Sequence, residues 1–281
     1  MRTALTIAGS DPSAGAGIQA DLKTFAAFGV YGTGAITAVT VQNTAGVQSV
    51  SPLAADLVTA QIEAIAADIA IHATKIGMLA TAAIVEAVAA AIEALDLPLV
   101  VLDPVLVSTS GEPLLDADGV QAMRLELLPR ARVVTPNLPE AEVLSGRRIE
   151  SEEQARDAAR RICDLGAAAV IITGGHTAKG EGLRAKGRGQ RAEGSPREVV
   201  DLLFDGDAFY EFRAPRVDVT RTHGTGCTYA SAVAASLALG RALPEAAERA
   251  QRYVASAIAH AQPIGHGAAL LDHFWGGILN R

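Results

Sequence analysis

The sequence predicts an α/β protein with a mostly parallel central sheet. Short apolar, often β-branched runs alternate with alanine-rich amphipathic segments along the 281 residues. Such alternation favours parallel strands joined by right-handed crossovers. Runs such as 99–103 and 169–173 are apolar almost throughout, which is typical of strands that helices cover on both faces.

These patterns place the elements in chain order. Apolar runs predict strands at 5–8, 35–41, 73–77, 99–103, 132–135, 170–173, 199–204 and 209–212. Amphipathic stretches predict helices at 17–29, 55–69, 80–95, 116–128, 138–145, 151–165, 225–239 and 244–262. Only residues 205–207 separate the last two strands, which therefore predict a hairpin and an antiparallel edge to the sheet.

Composition narrows the class of protein. Hydrophobic residues make up 49% of the chain and charged residues 20%, which excludes a disordered protein. The length would accommodate two domains, but single α/β domains reach this size and no linker is evident, so we expect one domain over 1–281. A net charge of −7 argues against nucleic-acid partners and against an anionic-membrane surface.

Cysteine usage and the N-terminus indicate the compartment. With only Cys163 and Cys227 there is no disulfide framework, and we expect two thiols in a reducing compartment. The N-terminal apolar run is too short for a signal peptide, and no stretch has the roughly 18 uncharged residues of a membrane span. We therefore expect a cytoplasmic protein.

One segment, residues 177–198, departs from the rest of the chain. It is rich in Gly, Lys and Arg and nearly free of large apolar side chains, which predicts a surface loop. It is either a solvated insertion or a cationic flap over the phosphates of a nucleotide.

The strongest candidate site is the segment 218–230, where a glycine-rich turn opens a helix. Gly224 and Gly226 permit tight backbone geometry, and the unpaired N–H groups of the first helical turn form an anion hole. The alternative is a merely tight connection. Cys227 favours the functional interpretation, because a thiol at a helix N-terminus has a lowered pKa and can serve as a base or nucleophile. Cys163 lies within a helix and is expected to be an apolar filler.

A second glycine-rich segment, 8–21, follows the first strand. It lacks the full G-x-G-x-x-G fingerprint, which argues against a dinucleotide site. Asp11 is expected to cap a turn. Asp21 lies early in the next helix, and it is either a helix-stabilising acid or a substrate contact.

The third candidate segment, 133–142, breaks a strand with proline and starts a helix. Asn137 and Glu140 are three residues apart and offer the hard oxygen ligands that suit Mg²⁺, directly or through water. They also fit an N-cap with its capping-box partner, and the two interpretations are compatible. Further polar residues end other strands, at 42–43, 75–78, 103 and 173–176. Open α/β sheets bind ligands at this carboxyl edge.

Taken in order, these segments resemble the ribokinase-like superfamily, and within it the hydroxymethylpyrimidine and phosphomethylpyrimidine kinases of thiamin biosynthesis. GSDPSAGAGIQADLKT and THGTGC are specific to this kinase within the superfamily. Pyridoxal kinases of the same branch share the cysteine and are the alternative, acting in vitamin B6 salvage. The matching stretches are 5–32, 38–48, 74–80, 101–105, 110–115, 135–142, 174–176 and 222–228.

The resemblance implies a three-layer α/β/α sandwich that transfers phosphate from ATP to a hydroxymethylpyrimidine and then to its monophosphate, with Mg²⁺, in a homodimer. The pyrimidine would contact Gly9, Asp21, Val41, Gln42, Met78 and Val105. Gly224, Thr225 and Gly226 would form the anion hole, and Cys227 would face the acceptor hydroxyl as the base. Mg²⁺ and phosphates would be held by Asn137, Glu140, Thr173, Gly175 and Thr222.

The sequence departs from this family's pattern at two places. Some relatives have Lys where this chain has Thr173, so the positive charge on the transferring phosphate is expected from Lys179 or another basic residue of 177–198. That segment is also longer than the family pattern implies.

Overall fold

The computed structural model describes residues 1–108, 111–176, 198–217 and 221–276. In these residues nine strands form one sheet in the order β3-β2-β1-β4-β5-β6-β7-β8-β9. They are β1 (Thr3–Ser10), β2 (Tyr31–Asn43), β3 (Gly46–Pro52), β4 (Ala73–Ile76), β5 (Val100–Leu102), β6 (Val133–Val134), β7 (Val170–His176), β8 (Glu198–Phe204) and β9 (Phe209–Pro215). A short parallel ribbon joins β10 (Thr222–His223) to β11 (Ala269–Leu270).

The centre of the sheet is parallel and both edges are antiparallel. The strands from β2 to β7 in sheet order run in one direction, whereas β3 pairs antiparallel with β2, β8 with β7, and β9 with β8. The predicted mostly parallel sheet with an antiparallel hairpin at its edge is therefore confirmed.

Eight α-helices cover the two faces of the sheet in the part of the chain described. They are α1 (Gly17–Ala27), α2 (Ala55–Ala66), α3 (Ala82–Ala94), α4 (Ala117–Ala122), α5 (Leu138–Ser145), α6 (Glu152–Asp164), α7 (Thr225–Ala238) and α8 (Leu243–Ala259). One core lies between the sheet and α2 to α6, and a second lies between the sheet and α1, α7 and α8. The apolar strands supply both cores, since Val100 and Leu102 face the first and Val101 faces the second.

Each predicted strand and helix is present, with shifted ends. The helix predicted at 116–128 is α4 followed by a π-helical turn, Met123–Leu127. β3, β10 and β11 were not predicted from the sequence. β3 lacks the apolar pattern of a strand, because its side chains are exposed or half-buried. Its hydrogen bonds to β2 hold it in place. Among the described residues, no helix combines the length and hydropathy needed to cross a bilayer.

Candidate active site

A cavity of about 330 Å³ opens at the carboxyl ends of β1, β4, β5 and β6, against the N-terminus of α7. Most of the predicted site residues meet there, as expected for the carboxyl edge of an open α/β sheet. The predicted residues that line it are Gly9, Gln42, Met78, Val105, Asn137, Glu140, Thr173, Thr222, Gly224, Thr225, Gly226 and Cys227.

Two glycines allow the starts of α1 and α7 to approach each other. Gly224 is the N-cap of α7 with φ of 86°, and a Cβ there would overlap the carbonyl oxygen of Gly15. Gly17, with φ of 57°, begins α1, and a Cβ there would overlap the carbonyl oxygen of Gly9. Both positions therefore require glycine for conformation and for space.

The first turn of α7 supplies the predicted anion hole. The first intrahelical hydrogen bond runs from Thr228 N to Gly224 O at 2.9 Å. The preceding N–H groups, on Thr225, Gly226 and Cys227, have no carbonyl partner within the helix, and all three residues line the cavity. Together with the helix dipole, they favour a bound phosphate.

Cys227 does not have the lowered pKa that its place at a helix N-terminus predicts. Burial raises the pKa of its thiol, and the carboxylates of Asp103 and Asp21 raise it further, which outweighs the opposing charge of Lys75. The thiol is therefore protonated at neutral pH. This corrects the prediction of an activated thiolate, because the helix dipole is weaker than desolvation beside two acids.

A buried ion cluster lies beneath the cavity. Lys75 Nζ is 3.0 Å from Asp21 Oδ2 and 3.7 Å from Asp103 Oδ2, and none of the three side chains is more than slightly exposed. Burial alone would lower the pKa of Lys75, but the charges of Asp21 and Asp103 raise it, so the ammonium stays charged.

Asp21 does not line the cavity, and its predicted contact with substrate stays a prediction. Its side chain is fully buried and accepts hydrogen bonds from Thr6 Oγ1 at 2.6 Å and from Ser231 Oγ at 2.7 Å, besides the ion pair with Lys75. Because Thr6 is in β1 and Ser231 in α7, Asp21 connects α1 to both. Asp21 therefore holds the elements that surround the cavity in position from beneath it.

Asn137 and Glu140 form the predicted capping box at the start of α5. Asn137 Oδ1 accepts from Glu140 N, and Glu140 Oε2 accepts from Asn137 N, both at 3.0 Å. Burial, reinforced by the charge of Asp103, raises the pKa of Glu140 to about 8. Asp103 also lines the cavity, and its buried Oδ2 has no hydrogen-bond partner. The site thus concentrates acidic oxygens.

Asp11 and His223 hold the two glycine-rich loops together. Asp11 caps its own turn as predicted, since its carboxylate accepts from Ser13 N at 2.8 Å and Ala16 N at 2.9 Å. The same carboxylate lies 2.9 Å from His223 Nε2, which also contacts the Gln42 side-chain amide at 2.9 Å. His223 therefore fixes Gln42 at the rim of the cavity.

Val41 is a further predicted residue, and it lies outside the cavity lining. It is 54% exposed, because the alternation of β2 turns Thr40 and Gln42 into the cavity and Val41 away from it. Gly175 is in β7, two residues beyond Thr173. Lys179 and the rest of the predicted flap up to residue 197 lie outside the described residues.

Lys75 and Asp103 were expected only as polar strand ends at the ligand-binding edge, and their ion pair was not predicted. The ion pair of Lys75 could have been predicted from the sequence, because a lysine within an apolar strand requires a buried acid as its partner. Asp103 ends a buried strand, but its partners come from other elements and no spacing reveals them. Among the described residues, no group of three or more His, Cys, Asp or Glu has the arrangement of a metal site.

The sheet topology, the free N–H groups at the start of α7 and the acidic cavity edge fit an enzyme that transfers phosphate groups. Residues 11–272 match the family described as phosphomethylpyrimidine kinase. The chain belongs to this family and is a phosphotransferase with the ribokinase-like fold.

Similar proteins agree with this assignment. The hydroxymethylpyrimidine/phosphomethylpyrimidine kinase of Rhizobium meliloti is 44% identical over 275 residues, covering 96% of each chain. The thiamine biosynthesis bifunctional protein ThiED of Geobacter sulfurreducens is 44% identical over 269 residues, which are 96% of this chain but 51% of that protein. The structure of the pyridoxal kinase from Staphylococcus aureus in complex with ADP matches with a TM-score of 0.85 and 37% identity, covering 99% of this chain and 96% of that one.

Proposed function

We propose that the protein transfers the γ-phosphate of ATP to 4-amino-5-hydroxymethyl-2-methylpyrimidine and then phosphorylates the monophosphate to the diphosphate, in thiamin biosynthesis. The observation that carries the proposal is the family match over 11–272 joined to a cavity that ends at the α7 anion hole. The ADP complex of the pyridoxal kinase relative supports ATP as the donor.

Positioning and charge neutralisation are the main catalytic requirements, because phosphoryl transfer has a loose transition state. Gly9, Met78 and Val105 line the cavity and offer apolar surface for the ring, and Gln42 lies in the same lining. The N–H groups of Thr225 and Gly226 stabilise the charge on the transferred phosphate. Cys227, which is protonated, holds the acceptor hydroxyl beside that phosphate.

Mg²⁺ fits the acidic edge of the cavity. Asp103 Oδ2 accepts no hydrogen bond and has only a long ion pair, at 3.7 Å, with Lys75. Burial and the charge of Asp103 raise the pKa of Glu140, so this edge can accept a further cation. Asn137, Glu140 and Asp103 would hold the ion, with Thr173 and Thr222 near the phosphates. Bound there, Mg²⁺ would neutralise charge on the phosphate oxygens.

Pyridoxal is the second candidate acceptor, because a pyridoxal kinase is among the most similar structures. A neutral thiol beside the acceptor site is compatible with either substrate. The two functions differ in the second step, since only the pyrimidine kinase phosphorylates a monophosphate.

An ATP–Mg²⁺ turnover assay with the pyrimidine, its monophosphate and pyridoxal tests the proposal. We expect turnover of the first two and much slower turnover of pyridoxal. Gln42→Ala should raise KM for the pyrimidine about tenfold, because it removes a polar contact at the ring. Gln48→Ala is the matched control, since Gln48 is exposed on β3. Turnover of pyridoxal alone would replace the proposal with the second candidate.

We also propose that the chain is a single domain and acts as a homodimer. Val39 and Val41 project from the outer face of β2 and are 47% and 54% exposed, which is unusual for neighbouring apolar side chains on one sheet face. Light scattering after size exclusion should give twice the mass of one chain. The double change Val39→Ser and Val41→Ser should shift the protein to monomer, and a monomeric wild type would refute the proposal.

A further inference from the structure

A second and larger cavity lies apart from the active site. Its volume is about 620 Å³, and the described residues that line this open cavity are at the end of α1, on one face of α8 and at 273–276. It shares no lining residue with the catalytic cavity. The phosphotransferase reaction therefore does not account for it.

Two arginines give this cavity a positive charge. Arg249 and Arg252 are three residues apart on α8 and so share one face of the helix. Neither makes an ion pair with any described residue, although the chain as a whole carries a charge of −7. The Arg249 guanidinium lies 5.6 Å above the ring of Phe28, which places this cation against an aromatic wall of the cavity.

Aromatic rings form the remaining walls. Phe28 and Tyr253 meet edge to face with centroids 5.0 Å apart, and Trp275 stacks on His260 at 5.7 Å. The wall is held by hydrogen bonds, because Tyr253 Oη donates to the carbonyl of His273 at 2.7 Å. His273 Nε2 in turn lies 3.0 Å from Thr228 Oγ1 in the first turn of α7. The cavity is thus largely pre-formed, as small-molecule sites are.

We propose that this cavity binds a small anionic aromatic molecule, such as an aryl phosphate. The paired N–H donors of a guanidinium group match the geometry of a phosphate or carboxylate. Two guanidinium groups on one helix face can therefore bind the same anionic group. The ring of the ligand lies against Phe28 and Trp275 in the offset or edge-to-face contacts that aromatic pairs favour. This inference does not depend on which acceptor the active site phosphorylates.

Trp275 provides a direct test, because it is the single tryptophan of the chain and it lines the cavity. Phenyl phosphate titrated into the full-length protein should change the tryptophan fluorescence saturably. Inorganic phosphate has the anionic group without the ring, and benzyl alcohol has the ring without the anionic group. Each should therefore bind at least tenfold more weakly than phenyl phosphate. No saturable change with phenyl phosphate would overturn the proposal, whatever else fills the cavity.

Variants separate this cavity from other phosphate-binding sites. Arg252→Ala should weaken phenyl phosphate binding about tenfold, and adding Arg249→Ala should abolish the fluorescence change. Arg241→Ala is the matched control, because Arg241 pairs with Glu245 at 3.4 Å outside the cavity lining. Arg252 is exposed, so its loss leaves folding intact. Equal weakening by Arg241→Ala would show a general charge effect and refute the site.

Discussion

Cys227 shows how a single residue balances opposing influences. Its place in the first turn of α7 favours a thiolate, but burial and the acids Asp103 and Asp21 favour the thiol. Since a loose transition state requires no strong base, a neutral thiol that hydrogen-bonds to the acceptor is consistent with phosphoryl transfer.

The protonated state of Cys227 can be measured by alkylation. In a Cys163→Ala variant, Cys227 is the sole thiol and should react with iodoacetamide far more slowly than free cysteine at pH 8, with a rate still rising at pH 10. Cys227→Ala leaves Cys163, whose pKa burial raises to about 11, so its thiolate fraction is also roughly 10²-fold below that of an ordinary thiol. A rate that reaches its plateau below pH 8 for Cys227 would contradict the assignment.

Residue-scale prediction from sequence succeeded where local geometry decides and failed where distant partners do. Asn137 and Glu140 were predicted as a capping box because the three-residue spacing is itself the mechanism. Because side chains alternate between the two faces of a strand, the sequence of β2 could have shown that Val41 and Gln42 face opposite ways. Asp21 was beyond reach, because its partners Ser231 and Lys75 come from other parts of the chain.

At the scale of elements, the start of α7 depends on the absence of a side chain at Gly224. Gly224→Ala would drive a Cβ into the Gly15 carbonyl and force a positive φ on alanine, so we expect a loss of at least about 2 kcal/mol of unfolding free energy. Gly226→Ala is the control, because its Cβ would approach only Asp103 Oδ1, at 3.8 Å. Urea denaturation should leave that variant as stable as the wild type, although its new methyl group lowers turnover.

Equal destabilisation by the two changes would mean that α7 tolerates no side chain in its first turn for reasons other than the Gly15 contact.

The glycine pattern allowed the anion hole to be predicted, because both glycines lie where a helix opens. The approach of the α1 and α7 starts was not predictable, since it joins residues more than 200 positions apart.

For the molecule as a whole, the three-layer fold was predictable because its strands are apolar on both faces. Val100, Val101 and Leu102 divide between two cores, and that division requires helices on each side. The edge strand β3 has no such apolar pattern, so the central strands of the sheet could be predicted from the sequence and β3 could not.

Two buried groups contribute in opposite directions to the acid stability of the whole molecule. Burial lowers the pKa of His273 to about 4, helped by the charge of Lys23. Burial raises the pKa of Asp201 to about 6, against a hydrogen bond from Gly174 N. As the pH falls from 6.5 to 4, the unfolded chain gains a proton on His273 that the folded chain resists, which destabilises the fold. Over a similar range the folded chain gains a proton on Asp201 before the unfolded chain does, which stabilises it.

Asp201 and Glu140, whose pKa is about 8, oppose His273 over this range, so a variant is needed to reveal the contribution of the histidine. In His273→Gln, the histidine contribution is absent and that of Asp201 remains. Relative to this variant, the wild type should lose about 3 kcal/mol of unfolding free energy between pH 6.5 and 4, and no more below pH 4. Urea denaturation at several pH values measures the difference. Parallel stability curves for the two proteins would mean that His273 titrates normally and that its burial does not keep it neutral.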